Sequence, residues 1–241
     1  MFCLRIACDC DKLIDNIDAI DCAVKSFIFF WGILMGKKIS EAVIKRLPRY
    51  YRYLSVLRQM GISRVCSSDL SKVLKITSSQ VRQDFFNFGE FGLQGYGYDV
   101  ELLHREISSL LGIEQQKHMI VIGTGSLGQA IIKHASFEKR GFKIEGAFDI
   151  SPLVIGQTYR HIEVQPMEAL ESFVASNAIE IAVIATPPEH AREIVNQVLS
   201  LGIKAIWNFT STEIDVPDDC LIESIHLSDS LLVMGYHLKH D

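Results

Sequence analysis

The chain has 241 residues, of which 48% are hydrophobic and 22% charged. That composition suits one large globular domain or two small ones, and it excludes a disordered or fibrous chain. The formal net charge of −5 is unevenly spread: residues 37–111 carry 12 Lys and Arg against 7 Asp and Glu, residues 112–241 carry 9 against 17, and residues 1–36 carry 3 against 5. A basic block joined to an acidic one points to a polyanionic partner for the first block only.

Residues 1–36 read as an extension ahead of the first domain. The apolar run at residues 27–35 is shorter than the roughly 20 residues a bilayer span needs. Acidic residues precede it and no small-residue cleavage site follows, so neither a membrane anchor nor a signal peptide is expected. Met35 stands just before Gly36-Lys37-Lys38, and residues 1–34 read as a mistaken upstream start or a poorly integrated extension. Cys3, Cys8, Cys10 and Cys22 crowd this segment without zinc spacing or a nearby His, and Cys66 and Cys220 stand alone. Free thiols in a reducing cytoplasm, and no metal site, are expected.

A helix is predicted over residues 39–60, where Ile39, Val43, Leu47, Tyr50, Leu54 and Leu57 recur at helical spacing. Pro48 predicts a kink or a start within it, and Gly61 a stop. Ser67, Ser68 and Asp69 offer caps for a second helix over residues 70–74. Thr77 and Gln80 stand in capping-box positions for a third, through Val81, Arg82 and Phe85. Three helices so spaced predict a helix-turn-helix core. Next, Phe88-Gly89-Glu90-Phe91-Gly92-Leu93-Gln94-Gly95-Tyr96-Gly97-Tyr98 interleaves glycines with aromatics, which predicts a tight β-hairpin, the wing of a winged helix. A linking helix is predicted over residues 99–111, closed by Gly112.

The second half alternates. Strands are predicted at residues 118–122, 143–148, 179–185 and 204–209, and helices at 127–137 and 189–201. This rhythm predicts an α/β fold, a doubly wound parallel sheet of Rossmann type with helices on both faces. The expected division is 1–36 extension, 37–112 winged-helix domain and linking helix, and 113–241 Rossmann domain with a C-terminal helix.

The strongest local pattern is Gly123-x-Gly125-x-x-Gly128, between a predicted strand and helix, with Asp149 at a strand end 21 residues later. That context is what dinucleotide binding requires. Gly123 turns the chain, Gly125 lets a pyrophosphate approach the backbone at Thr124, Ser126 and Leu127, and Gly128 lets helix and strand pack closely. Asp149 is placed to accept from ribose hydroxyls and to repel a 2′-phosphate. With no Arg at residues 150–153, NAD(H) is expected rather than NADP(H). Thr186 and Pro187, at the carboxyl end of a central strand, are expected to border the nicotinamide half. His190 and Lys204 belong to no recognisable catalytic motif, so binding without turnover is the expectation. The alternatives are an NAD-dependent oxidoreductase whose first domain only dimerises, and a module for CoA or another nucleotide, which Asp149 disfavours.

In the basic block, Lys37, Lys38, Lys45, Arg46, Arg49, Arg52 and Arg58 decorate the first helix region, where phosphate contacts dominate DNA affinity. Ser78, Ser79, Gln80, Arg82 and Gln83 lie at the start of the third helix, where base edges are read in helix-turn-helix proteins.

Together these residues resemble the Rex family of redox-sensing transcriptional repressors, over roughly residues 39–238. Three stretches carry the resemblance: Arg46-Leu47-Pro48-Arg49-Tyr50-Tyr51-Arg52-Tyr53-Leu54; Ser79-Gln80-Val81-Arg82 with Asp84 and the glycine–aromatic stretch; and the glycine fingerprint with Phe148-Asp149. The resemblance implies a homodimer with a swapped C-terminal helix, bound to double-stranded operator DNA and released when NADH binds. It implies that Tyr98 lies near the nicotinamide and that Arg52, Tyr98 and His226 take part in an interdomain switch. It also marks departures. Gln83 and Leu93-Gln94 stand where basic residues are usual, and His226 where the family carries Asp or Asn.

Overall fold

The computed structural model describes residues 39–87, 92–93 and 96–240. The extension, with Lys37, Lys38, four cysteines and the apolar run, lies outside them, as do Phe88-Gly89-Glu90-Phe91 and Gln94-Gly95 of the expected wing. The chain divides into two compact units, Met1–Gly112 and Ile113–Asp241.

In the first unit, α1 (Glu41–Ile44) and α2 (Leu47–Gln59) replace the single expected helix. Pro48 sits in the first turn of α2, where its missing amide costs no hydrogen bond, so it marks a start rather than a kink. A two-residue strand, β1 (Arg64–Val65), follows, then α3 (Ser67–Leu74) and α4 (Ser78–Phe86). Helix α3 begins three residues earlier than expected, with Cys66 as its N-cap residue and the serines inside its first turn. The turn into α4 passes through Lys75 in the left-handed region, φ 53°. Thr77 then caps α4 through the Gln80 amide at 3.1 Å. The reciprocal half of the capping box is absent, because the Gln80 side chain is held by Asp84 instead.

Strands β2 (Gly92–Leu93) and β3 (Gly97–Asp99) pair antiparallel, and β3 also pairs with β1, giving a small sheet of order β1-β3-β2. An antiparallel strand pair thus comes after the helix-turn-helix in the chain. Asp99 caps α5 (Val100–Leu110) through the Leu102 amide. The core joins Tyr50, Leu54, Leu70, Phe85 and Leu103, all essentially fully buried.

The second unit holds β4 (Lys117–Ile122), α6 (Ser126–Lys133), β5 (Phe142–Asp149), β6 (Thr158–Tyr159), β7 (Ile162–Pro166), α7 (Leu170–Ser176), β8 (Ile181–Ile184), α8 (Pro188–Ser200), β9 (Ala205–Asn208), β10 (Leu221–Ser224) and α9 (Asp229–His240). The sheet order is β10-β9-β8-β4-β5-β7-β6, parallel throughout except where β6 folds back on β7. The chain therefore winds outward in both directions from β4, and the reversal opens a crevice beyond its carboxyl end. Alternate residues of β4 face opposite clusters. Ile120 and Ile122 pack with α7 and α8, while Met119 and Val121 pack with α6. Strands β6, β7 and β10 and helix α7 carry no clear period in the sequence and are found only in three dimensions. Among the described residues no helix is long and apolar enough to cross a membrane.

Candidate functional site

The glycine turn connects β4 to α6 at that crevice. Gly123 has φ 91°, and a Cβ on it would lie 2.6 Å from the Ala185 carbonyl oxygen, so the neighbouring strand needs glycine here as much as the turn does. At Gly128 a Cβ would fall 1.9 Å from the Gly123 carbonyl oxygen, which is how closely α6 sits on the turn. Around Gly125 the space is open: nothing lies within 4 Å of its would-be Cβ. Gly125 is the N-cap of α6 and offers no side chain to the first amides of the helix, which leaves them for an anion.

Asp149 ends β5 beside this turn. Its Oδ2 accepts from the Thr124 amide at 2.6 Å and the Thr124 hydroxyl at 2.8 Å, and its Oδ1 accepts from the Ser151 amide at 2.9 Å. Burial pushes the carboxyl pKa up, but these donors outweigh it and hold the group below its ordinary range, fully ionised near neutrality. Oδ1 keeps acceptor capacity for a further donor. A cavity of about 320 Å³ opens here, with Gly123, Gly125, Asp149, Met167, Thr186 and Pro187 in its wall. Among the described residues no Lys or Arg lines it. The Thr186 hydroxyl oxygen is buried and has no hydrogen-bond partner among the described residues, which marks a donor or acceptor place for a bound molecule. An open helix N-terminus, an ionised carboxylate with a free lone pair and this orphan hydroxyl fit the pyrophosphate, ribose and distal ring of a dinucleotide. His190 also lines the cavity, whereas Lys204 pairs with Asp219 at the surface. His226 is half-buried and faces Glu213 at 3.4 Å.

The first unit sorts the basic residues sharply. Asp84, with no exposed surface, accepts from Arg46 Nε and a terminal guanidinium nitrogen at 2.7 Å each, from the Tyr50 hydroxyl at 2.8 Å and from Gln80 at 2.8 Å. Arg46 and Gln80 are thus inward-facing ties. Arg49 donates to the Leu74 carbonyl at the end of α3, and Arg58 forms a bidentate pair with Glu101. Ser78 donates to Ser71. On the outer face of α4, Ser79, Arg82 and Gln83 are exposed, with Arg82 held by the Ser67 and Ser79 hydroxyls at 3.3 and 3.0 Å. Arg52 is exposed on α2. Tyr98 is half-buried, edge-on to Phe85 at 4.8 Å, and burial raises its hydroxyl pKa. Asp84 organises this cluster from within the core, a supporting part that sequence reasoning left unassigned. The sign was an acidic residue on the apolar face of α4, four residues after Gln80.

Two family descriptions match the chain: "Putative DNA-binding protein N-terminus" at residues 38–85 and "CoA binding domain" at residues 114–212. A redox-sensing transcriptional repressor Rex of Thermoanaerobacter pseudethanolicus is 46% identical over 85% of this chain and 91% of its own length. One of Clostridioides difficile is 44% identical over 86% and 99%. The chain belongs to the Rex family of redox-sensing transcriptional repressors. Among solved structures, that of RSP in complex with beta-NAD+ and operator DNA matches with TM-score 0.80 and 45% identity, covering 85% of this chain and 94% of that one. RSP with beta-NADH matches with TM-score 0.78 and 43% identity, over 84% and 95%. The Rex relatives are regulators rather than enzymes. The description "CoA binding domain" covers the same Rossmann unit; a carboxylate set for ribose hydroxyls suits a dinucleotide better than a ribose that carries a phosphate.

Proposed function

We propose that this chain is a DNA-binding transcriptional repressor that senses the NADH/NAD+ ratio and leaves its operator when NADH binds. The observation that carries the reading is the ionised Asp149 beside an open glycine turn, in a chain whose other unit is a helix-turn-helix with Arg82 held outward. Gly123, Thr124, Gly125, Ser126 and Leu127 would hold the pyrophosphate, Asp149 the adenine ribose, and Thr186 and Pro187 the nicotinamide side. The cofactor supplies a redox state that is read and not consumed. On the DNA, Ser79, Arg82 and Gln83 read base edges, and Arg49, on α2 and tied to the carbonyl that ends α3, backs phosphate contacts. Arg46, Arg58 and Gln80 support the fold that presents them. Arg52, Tyr98 and His226 form the switch that the family resemblance assigns.

Coupling needs only a differential affinity. For NADH to weaken operator binding tenfold, it must bind the DNA-free form tenfold more tightly, about 1.4 kcal/mol. A homodimer is part of the proposal. Helix α9 exposes Leu231, Leu232, Val233, Met234, Tyr236 and Leu238, none more than half covered. A row this apolar on one helix calls for a partner surface, and a second copy supplies it. The deciding experiment is a gel shift on candidate operators with NADH and NAD+ added separately. Release by NADH and much weaker release by NAD+ is expected; equal effects, or no retained duplex at low salt, would refute the reading.

A further inference from the structure

Outside the nucleotide cavity and the recognition helix, one buried titratable group has a fully determined hydrogen-bond pattern. His104 lies on α5, 8% exposed, beneath α2. A terminal nitrogen of Arg58 sits 3.1 Å from its Nδ1, and Ser55 Oγ sits 3.0 Å from its Nε2. Arginine can only donate, so Nδ1 must accept, and the ring proton resides on Nε2. Nε2–H then donates to Ser55 Oγ, and the Ser55 hydroxyl in turn donates to the Tyr51 carbonyl oxygen at 2.8 Å. Each donor has one acceptor, and the order runs one way from Arg58 to the α2 backbone. The Tyr51 ring covers the imidazole at 4.7 Å.

This order rules out nucleophilic use of Ser55, because its proton points away from the imidazole and the far ring nitrogen faces a cation. It also makes the arrangement intolerant of a second ring proton. A proton on Nδ1 would confront the Arg58 N–H, remove that hydrogen bond and set two positive charges about 3 Å apart. From α2, the titratable groups that face the imidazole are Arg58 and Tyr51. From its own helix Glu101 does, although that carboxylate is already engaged by the other two Arg58 nitrogens, Nε and the second terminal nitrogen, at 2.6 and 2.9 Å. From β3, Asp99 is committed to the Leu102 amide.

We propose that His104 is a proton-operated latch between α2 and α5, closed while the imidazole is neutral, whose protonation loosens the DNA-binding unit in acid. Burial and the Arg58 charge lower the His104 pKa, against a smaller opposing pull from Glu101. A depressed folded value means that the stabilisation is complete above the ordinary histidine value of about 6.5 and is lost as pH falls through the lower folded value.

The test is an imidazole nitrogen NMR titration of the full chain, with His104 assigned by its absence in His104→Gln, alongside melting curves at pH 7.5 and 5.5. Glutamine can accept from Arg58 and donate to Ser55 but cannot be charged. Expected are an Nε2–H tautomer, a midpoint below that of ordinary histidines, and an acid-induced drop of several degrees in the first unit's melting temperature that His104→Gln largely abolishes. An Nδ1–H tautomer, an ordinary midpoint, or equal acid sensitivity in both proteins would overturn the proposal. Should His104→Gln fail to fold, His104 is assigned by through-bond correlation to its own backbone amide and Arg58→Met decides: the His104 midpoint moves to higher pH if the latch is as described and stays in place if it is not. None of these readouts depends on DNA or cofactor binding.

Discussion

Replacing Asp84 with alanine puts the greatest stress on the structure of the first unit. Its carboxylate accepts four hydrogen bonds, from Arg46, Tyr50 and Gln80, and has no solvent-exposed surface. Asp84→Ala leaves a mostly covered guanidinium without its counter-charge and strands the Tyr50 hydroxyl in a core where Tyr50 itself is fully buried. Breaking one side of such a buried pair costs about 3–5 kcal/mol. Domains of this size melt about 4–8 °C lower for each kcal/mol lost, so even the low end amounts to a fall of more than about 12 °C. The assay is differential scanning calorimetry. The first unit's transition should move down sharply while the second unit's transition stays in place. A shift below about 1 kcal/mol would refute the view that Asp84 holds α2 against α4. The same cluster predicts an acid dependence. Burial raises the Asp84 pKa, but the donors from Arg46, Gln80 and Tyr50 win, and the folded value lies below the ordinary one. Its contribution is therefore full above an unfolded-chain value of about 3.9 and fades as pH falls through the lower folded value.

Gly125→Ala should leave the second unit's melting temperature within about 0.5 kcal/mol of the parent, since its Cβ meets nothing, yet weaken NADH binding about tenfold or more in a fluorescence titration. Gly128→Ala should lower both stability and binding, by about 1–3 kcal/mol of stability, because its Cβ collides with the Gly123 carbonyl. Asp149→Ala should cost about 1–3 kcal/mol of NADH affinity by calorimetric titration, because the ribose hydroxyls lose their charged acceptor, and should also lower the second unit's stability, with the Thr124 and Ser151 donors left unmatched. Arg82→Ala should leave melting unchanged within about 0.5 kcal/mol but reduce operator affinity by about 1–3 kcal/mol with altered base preference, whereas Arg46→Ala should unfold the first unit before its effect on DNA can be read.

Sequence alone settled what depends on local spacing. The Gly123–Gly125–Gly128 turn, the Asp149 strand end and the strand–helix rhythm around them are short-range patterns, because backbone conformation and helix-end chemistry act over a few residues. The Thr77 cap, the glycine stop after α2 and the linking helix were legible for the same reason. Which side chains point where was not, since that depends on pairs far apart in the chain. Arg46 and Arg82 carry the same charge in the same basic block. Only the packing of α2 on α4 shows that one is bound 38 positions away to a buried carboxylate while the other stands free of the core. The short strand β10 and the β6 fold-back lack a period of their own and exist because neighbouring strands offer them unpaired amides and carbonyls. The neutral tautomer of His104 likewise follows from an arginine 46 residues away, which no window of sequence contains.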